Sequence, residues 1–310
     1  MSDLASGNTD SRRRRFVVTG AAGFIGGALV RFLESQDCEV IAVDHSAMHF
    51  ERARYVIADL RIPGVLTPLV DSHTTVFHMA ASADVLLSID NPRHDFENTF
   101  GALFEVLEAA RSTGCRVIYP STASIFDPTG LRPLDERSFP RPSSPYAAGK
   151  LAGEAYCFAY HRAYDVDVRI ARLFNVYGVG MRRFVIFDIV RKIQASPDKI
   201  TLRGDGEQVR DYLYIDDAVR ALILVDQRGV PGQDYNLASG TPVTIMEIAK
   251  RIARLMGLPN LRILTTGRSF RGDTLKWYAD IRKVRTLGFD PAVTIDEGLA
   301  ATVDWLTREQ

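Results

Sequence analysis

The chain has 310 residues, 46% of them hydrophobic and 25% charged, which is enough apolar mass for a full core in one large or two smaller domains. Its 38 Lys and Arg balance 38 Asp and Glu, so no global field draws it toward nucleic acid or an anionic membrane surface. Three cysteines (Cys38, Cys115, Cys157) are too few and too scattered for a disulfide framework or a zinc site, and no apolar run approaches the roughly 20 residues of a membrane span. The expectation is a cytoplasmic protein without a metal.

Residues 1–14 are small, polar and basic, and read as a disordered tail. Arg12–Arg15 ahead of an apolar run superficially resembles a twin-arginine export signal. That run is only Phe16–Thr19, ends at Gly20 and is followed by no small-residue cleavage site, so it reads as a strand entering a turn. Further strands are expected at Val40–Val43, Thr75–His78, Arg116–Tyr119 and Val168–Leu173, after a first at Arg15–Thr19. Helical patterns intervene at Phe24–Glu34 and Phe100–Arg111. Continuously apolar strands separated by helices imply a parallel sheet covered on both faces, the doubly wound α/β (Rossmann) class. Past residue 175 the strand–helix metre is lost. Capping boxes (Thr244 with Glu247, Thr294 with Glu297) start two helices, and glycine turns at 204–206 and 229–232 separate short elements. The expected plan is a first domain at 15–175 and a smaller C-terminal α/β domain at 176–310. About 212–228, including a helix at Val219–Val225, returns to the first.

Thr19-Gly20-Ala21-Ala22-Gly23-Phe24-Ile25-Gly26 leaves the first strand and opens the first helix. Glycines there permit a tight turn and close approach to a pyrophosphate seated on the helix N-terminus. Asp44 ends the second strand about 20 residues on, where a carboxylate accepts hydrogen bonds from ribose hydroxyls and repels a 2′-phosphate. The cofactor expected is therefore NAD.

The glycine spacing is G-x-x-G-x-x-G, and here the chain resembles the extended short-chain dehydrogenase/reductases that act on nucleotide sugars, the NAD-dependent epimerase/dehydratase family. The resemblance recurs in order over nearly the whole chain. It implies that Gly20, Gly23, Phe24, Ile25 and Gly26 hold the cofactor pyrophosphate, and that Asp59 and Leu60 contact adenine. It implies also that Ala80 and Ala81 line the cofactor after the third expected strand, and that Asn98 lies on a helix supporting the active site.

Tyr146 and Lys150, in Ser144-Pro145-Tyr146-Ala147-Ala148-Gly149-Lys150, stand at i, i+4 on one helical face. Tyrosine is a poor base at neutral pH because its ordinary pKa is about 10, and a nearby ammonium favours the phenolate. Oxidised nicotinamide adds a second positive charge. Such a pair takes a proton from a sugar hydroxyl as hydride leaves the same carbon. By the resemblance Thr122 supplies the hydroxyl that hydrogen-bonds the reacting oxygen and both Tyr146 and Lys150 touch the cofactor; Ser121 and Ser124 lie beside Thr122. Family dehydratases carry an Asp-Glu pair directly after this threonine, and nucleotide-sugar decarboxylases a Glu two positions on. Ala123 and Ser124 stand there instead, as in epimerases and keto-sugar reductases. The family's Tyr-Gly pair is Phe126-Asp127 here.

On the substrate side, the run Arg172–Gly178 with Asn175 resembles the family's sugar and phosphate signature, and Arg210-Asp211 and Arg271-Gly272-Asp273 resemble two segments that grip a nucleotide diphosphate. Arginine suits that task because its planar fork donates bidentately to phosphate oxygens. Leu202 would lie beside the base as an apolar platform. Arg182 and Arg183 could hold phosphate, hold a hexuronate carboxylate, or face water. The expected activity is hydride transfer at C4 of a UDP- or dTDP-hexose, as a 4-epimerase. The alternatives are a 4-ketoreductase of a dTDP-4-keto-6-deoxy sugar, a UDP-glucuronate-type decarboxylase, and a nucleotide sensor on the same fold; the intact Thr122, Tyr146 and Lys150 argue against the sensor. The resemblance also implies a homodimer paired through Phe96–Arg111 and Tyr146–His161, where Leu151, Ala155 and Phe158 recur at helical spacing.

Overall fold

The computed structural model describes residues 14–126, 132–268 and 276–308. The chain runs β1 (Arg15–Thr19), α1 (Phe24–Glu34), β2 (Glu39–Asp44), β3 (Arg54–Ile57), β4 (Thr74–His78), α2 (Val85–Asp90), α3 (Pro92–Phe96), α4 (Ala102–Thr113), β5 (Arg116–Thr122), α5 (Pro145–Tyr164) and β6 (Val168–Leu173). It continues through β7 (Asn175–Tyr177), α6 (Phe184–Ala195), β8 (Lys199–Leu202), β9 (Val209–Tyr214), α7 (Ile215–Arg228), β10 (Asp234–Leu237) and β11 (Pro242–Thr244). It ends with α8 (Ile245–Leu255), β12 (Arg262–Thr265), α9 (Arg282–Arg285) and α10 (Ile295–Arg308).

Seven strands form one parallel sheet in the order β10-β6-β5-β4-β1-β2-β3. Because β1, β2, β4, β5 and β6 are buried on both faces, alternate residues feed two cores. Val18, Ala42, Phe77 and Ile118 pack with α1 and α7, whereas Val17, Val43, Val76 and Val117 pack with α4 and α5. Strand order reverses between β1 and β4, so their carboxyl ends flank the crevice where doubly wound sheets bind ligands.

Three departures from the sequence expectation bear on the site. Strand β5 continues to Thr122 because β6 carries it on (Thr122↔Leu173), although its ladder with β4 stops at Phe77↔Ile118. Pro120, which has no N–H to donate, stands beyond that stop. The helix expected from Phe100 begins at Ala102, after a five-residue π-turn at Glu97–Gly101. Strand β10, which lies outside the segment expected to return, pairs with β6 from Asp234↔Ile170 to Leu237↔Leu173 and joins the main sheet, on which α7 also packs. The remaining C-terminal elements form a three-stranded sheet (β11-β9-β7) and the parallel pair β8–β12, with α6, α8 and α10 in mutual contact. Both capping boxes form: Thr244 N–H donates to Glu247 at 2.8 Å and Thr294 N–H to Glu297 at 2.9 Å. No helix among the described residues is long and apolar enough to cross a membrane.

At the amino ends of the strands an ionic knot closes the sheet. Asp226, fully buried at the end of α7, accepts from Arg14 at 2.5 Å, from the Thr75 hydroxyl at 3.0 Å and from Arg116 at 3.0 Å. Arg116 also pairs with Asp167 at 2.7 Å, which Arg169 shares at 3.1 Å. Arg15 pairs with Glu39 and Asp71, so both described arginines of the basic run are bound into the fold. Removing one member of a buried ionic group strands the others without charge compensation. Asp226→Ala is therefore expected to lower unfolding free energy by about 2–4 kcal/mol, a range discounted for the half-exposed arginines. Urea denaturation of both forms measures this, and an unchanged midpoint would remove the knot's importance.

Candidate active site

The glycine turn between β1 and α1 is built for close approach. Gly20 has φ +65°, and a Cβ there would stand 2.6 Å from Ala80 N, while one on Gly26 would strike the Gly20 carbonyl. Helix α1 starts at Gly23 with no side-chain cap, leaving its first-turn amides to a ligand; Phe24 and Ile25 there are partly exposed. Asp44 accepts from the Ala22 and Ser46 N–H groups, both at 3.0 Å, at the side of the same turn. A dinucleotide phosphate fits this cradle, which side chains in place of the glycines would fill. Ala80 and Ala81 are partly exposed just beyond β4, and Ala80 N–H donates to Thr19 at 3.3 Å. Leu60 is buried, and Asp59 is held in a bidentate pair by Arg61, whose guanidinium brings its carboxyl down to about 2.

Helix α5 begins where Ser144 accepts from the Ala147 N–H at 3.2 Å and Pro145 takes the first helical position. Its sheet-facing side carries Lys150 and Glu154, both buried, and at its mouth Tyr146, partly buried. Lys150 donates to the Pro120 carbonyl at 2.8 Å, with its ammonium 4.9 Å above the Tyr119 ring. Burial brings this lysine down to about 8, against the opposing pull of Asp95. The Tyr146 phenol stands near 12, raised by burial; hydrogen bonding to Thr122 and the charge of Arg183 oppose the rise. The Lys150 ammonium is turned to β5, where the Pro120 carbonyl accepts from it. Thr122 donates to Ser124 Oγ at 3.2 Å and accepts from the Ser124 N–H, and the buried Ser121 hydroxyl has no partner among the described residues.

Several expected residues are placed elsewhere. Asn98 donates to the His94 carbonyl at 2.7 Å, while its neighbours Asp95, Thr99 and Phe100 meet α5. Arg172 is buried in a bidentate pair with Glu154 (2.9 and 2.7 Å) and in a bridge to Asp234, so this arginine is structural. Asp211 is equally internal, accepting from Ser239, Gly240 and Ala279. Leu202 is buried in the core. Asn175 accepts from the Trp277 indole at 3.0 Å, and Arg210 stacks 4.7 Å over that ring. Trp277 was missed in the sequence; as one of only two tryptophans, it is a signal that could have found it. The other, Trp305, takes Arg182 at 5.6 Å, while Arg183 is exposed and acts on Tyr146. Arg271, Gly272, Asp273 and Asp127 lie outside the described residues.

A glycine cradle at the switch point, with a tyrosine–lysine helix along the neighbouring strand, defines the class of pyridine-nucleotide enzymes built on the doubly wound sheet. Residues 16–238 match the NAD dependent epimerase/dehydratase family, and the chain belongs to that family. It is 32% identical to a UDP-glucose 4-epimerase of Mycolicibacterium smegmatis over 95% of this chain and 99% of the relative. Among solved structures, a UDP-glucose 4-epimerase of Thermotoga maritima with UDP-glucose superposes with a TM-score of 0.88 at 27% identity (95% and 99% covered). MoeE5 in complex with UDP-glucuronic acid and NAD superposes at 0.87 with 31% identity (96% and 100% covered).

His78, fully buried at the end of β4, meets the Thr19 hydroxyl at 3.0 Å, and its Nε2 has no partner among the described residues. Burial, aided by the Lys150 charge, brings its pKa down from 6.5 to about 3. Between these two values the unfolded chain binds a proton that the folded chain refuses. Stability is therefore expected to be lost as pH falls from 6.5 toward 3, and His78→Phe should flatten that loss. Denaturation midpoints across this range test it; parallel curves for the two proteins would refute it.

Proposed function

We propose that this NAD-dependent enzyme is a 4-epimerase of a UDP- or dTDP-linked hexose. One observation carries the reading: Thr122 and Tyr146 interact at the ligand-facing rim while small neutral residues, Ala123 and Ser124, follow Thr122 where the family's dehydratases carry an acid pair. The cradle at Gly20–Gly26 with Asp44 would hold NAD, which when bound supplies a hydride acceptor and, once reduced, a donor. Tyr146 Oη takes the proton of the sugar 4-hydroxyl and later returns it. The Thr122 hydroxyl bonds the reacting oxygen and, with Arg183, brings the phenol down from the value burial gives it. Lys150 adds a fixed positive charge behind the tyrosine, held by the Pro120 carbonyl. Asn175, Trp277 and Arg210 bound the substrate side, where the 4-keto sugar must turn to present its other face.

Arg183 favours a second reading in which the hexose bears a carboxylate: it is exposed, acts on the tyrosine, and has no ion pair among the described residues. The test is incubation with UDP-glucose, UDP-galactose, dTDP-glucose and UDP-glucuronate without added cofactor. Appearance of the 4-epimer supports the proposal. Turnover only of a 4-keto sugar with added NAD(P)H, or release of carbon dioxide from the hexuronate, rejects it for a reductase or a decarboxylase. Tyr146→Phe keeps the ring and removes the base, so kcat should fall by about 10²–10⁴ with the fold intact. Near-normal turnover would sink the assignment.

We also propose a homodimer through α4 and α5. Of the three helical residues expected there, Leu151 and Phe158 pack on the chain's own cores and Ala155 is exposed. Phe96, Phe104, Tyr156 and Tyr164 are also exposed, and Phe100 meets Tyr156 edge-on at 4.7 Å. An apolar aromatic patch on one helix pair suits a self-complementary contact. Sedimentation at micromolar concentration should give twice the 34.5 kDa chain mass; a monomer would reject the pairing.

A further inference from the structure

A carboxylate that the reading above leaves unused lies behind the tyrosine–lysine helix. Asp95, near the end of α3, is 1% exposed. It packs on α5 at Gly149, beside Lys150: a Cβ built on Gly149 would stand 3.7 Å from Asp95 Oδ2 and 3.8 Å from the Thr99 methyl. Asp95 Oδ1 and Thr99 Oγ1 are both buried and face each other, and among the described residues neither makes a well-formed hydrogen bond, a situation that demands a physical reason. The two residues flank the start of the π-turn at Glu97–Gly101, a helix form that concentrates at functional sites.

A buried carboxylate is costly unless a positive charge compensates it. Burial raises the Asp95 carboxyl, while the Ser82 hydroxyl, the charges of Lys150 and His94 and the Thr99 hydroxyl bring it back. The same attraction supports the lysine against its own desolvation. The other groups around the pair do not serve. On α5, Glu154 is the remaining buried carboxylate, and Arg172 engages both its oxygens. Burial raises the Cys157 thiol well above its ordinary range, so it stays neutral. On β4, His78 is neutral, and on β5 the Tyr119 phenol is raised by burial and donates to the Lys150 carbonyl. His94 on α3 acts weakly on Asp95, and Arg183 acts on Tyr146 from the loop before α6.

We propose that Asp95 is a positioning residue for the reaction: its carboxylate is the counter-charge that keeps Lys150 an ammonium behind Tyr146. The inference rests on the Tyr146–Lys150 reading given above. It assigns to Asp95 the support of the active site that the family resemblance places on Asn98, one helical turn away.

The test is the pH profile of kcat/KM for Asp95→Asn, which keeps the shape and removes the charge. Without that charge both Tyr146 and Lys150 hold protons less tightly, so both limbs should move to lower pH together, by about one unit or more. Purely structural damage would lower the profile without moving it. Unmoved limbs in Asp95→Asn, beside an inactive Tyr146→Phe, overturn the proposal and leave the base assignment standing; an active Tyr146→Phe overturns both. Should Asp95→Asn fail to fold, adding Lys150→Met must restore folding, because neither charge is then left alone. A double variant as unstable as the single one overturns the proposal.

Discussion

The site depends on keeping an ammonium out of water. Lys150 is buried against β5, and an isolated buried charge is tolerated only where oxygen atoms and opposite charge meet it. Much of the surrounding sequence answers that need. Pro120 presents its carbonyl beyond the point where the β4–β5 ladder ends, Tyr119 lays its ring beneath the charge, and His78 stays neutral. Were His78 charged, two cations would share one dry pocket. Helix α5 can therefore turn a polar face to the sheet, with Glu154 answered by Arg172 on β6.

The two ends of the sheet carry different burdens. At the carboxyl ends, the glycine turn, the Thr122 hydroxyl and the mouth of α5 open toward the substrate side, with partly exposed groups that await partners. At the amino ends, charges are paired and closed. The C-terminal elements connect the two, because α7 and β10 belong to the main sheet while β7, β9 and β11 bring Asn175 and Arg210 to the rim. The chain thus crosses between layers more than once.

Where burial alone decides structure, the sequence was legible. β1, α1 and β6 have the expected bounds because apolar runs and the glycine turn admit one reading. β3 and β10 were not read as strands: each has four residues, and Arg54, Asp234 and Asn236 dilute their apolar content, so only the neighbouring strand makes them strands. The helix expected from Phe100 starts two residues later because a π-turn has no distinct residue period. Tyr146 and Lys150 stood out in the sequence through residue type and i, i+4 spacing, and Thr122 through the family resemblance; the fold brings Thr122 and Tyr146 together. Asp95 and Trp277 were not legible, since a lone acid in a helical pattern reads as solvated and an isolated tryptophan as core. Arg172 shows the converse error: a segment resembling a ligand-gripping signature contains an arginine spent on an internal pair.

The knot around Asp226 has a consequence for how motion is distributed. It joins the amino ends of β1, β4, β5 and β6 to the end of α7, so these strands cannot separate at that edge without exposing buried charge. Any breathing of the sheet must then fan open from the opposite edge. Amides at the beginnings of β4 and β5 are expected to exchange slowly under native conditions, and those of the glycine turn faster. Such a sheet is pinned at its base, so local opening costs least at the edge that carries the glycine turn.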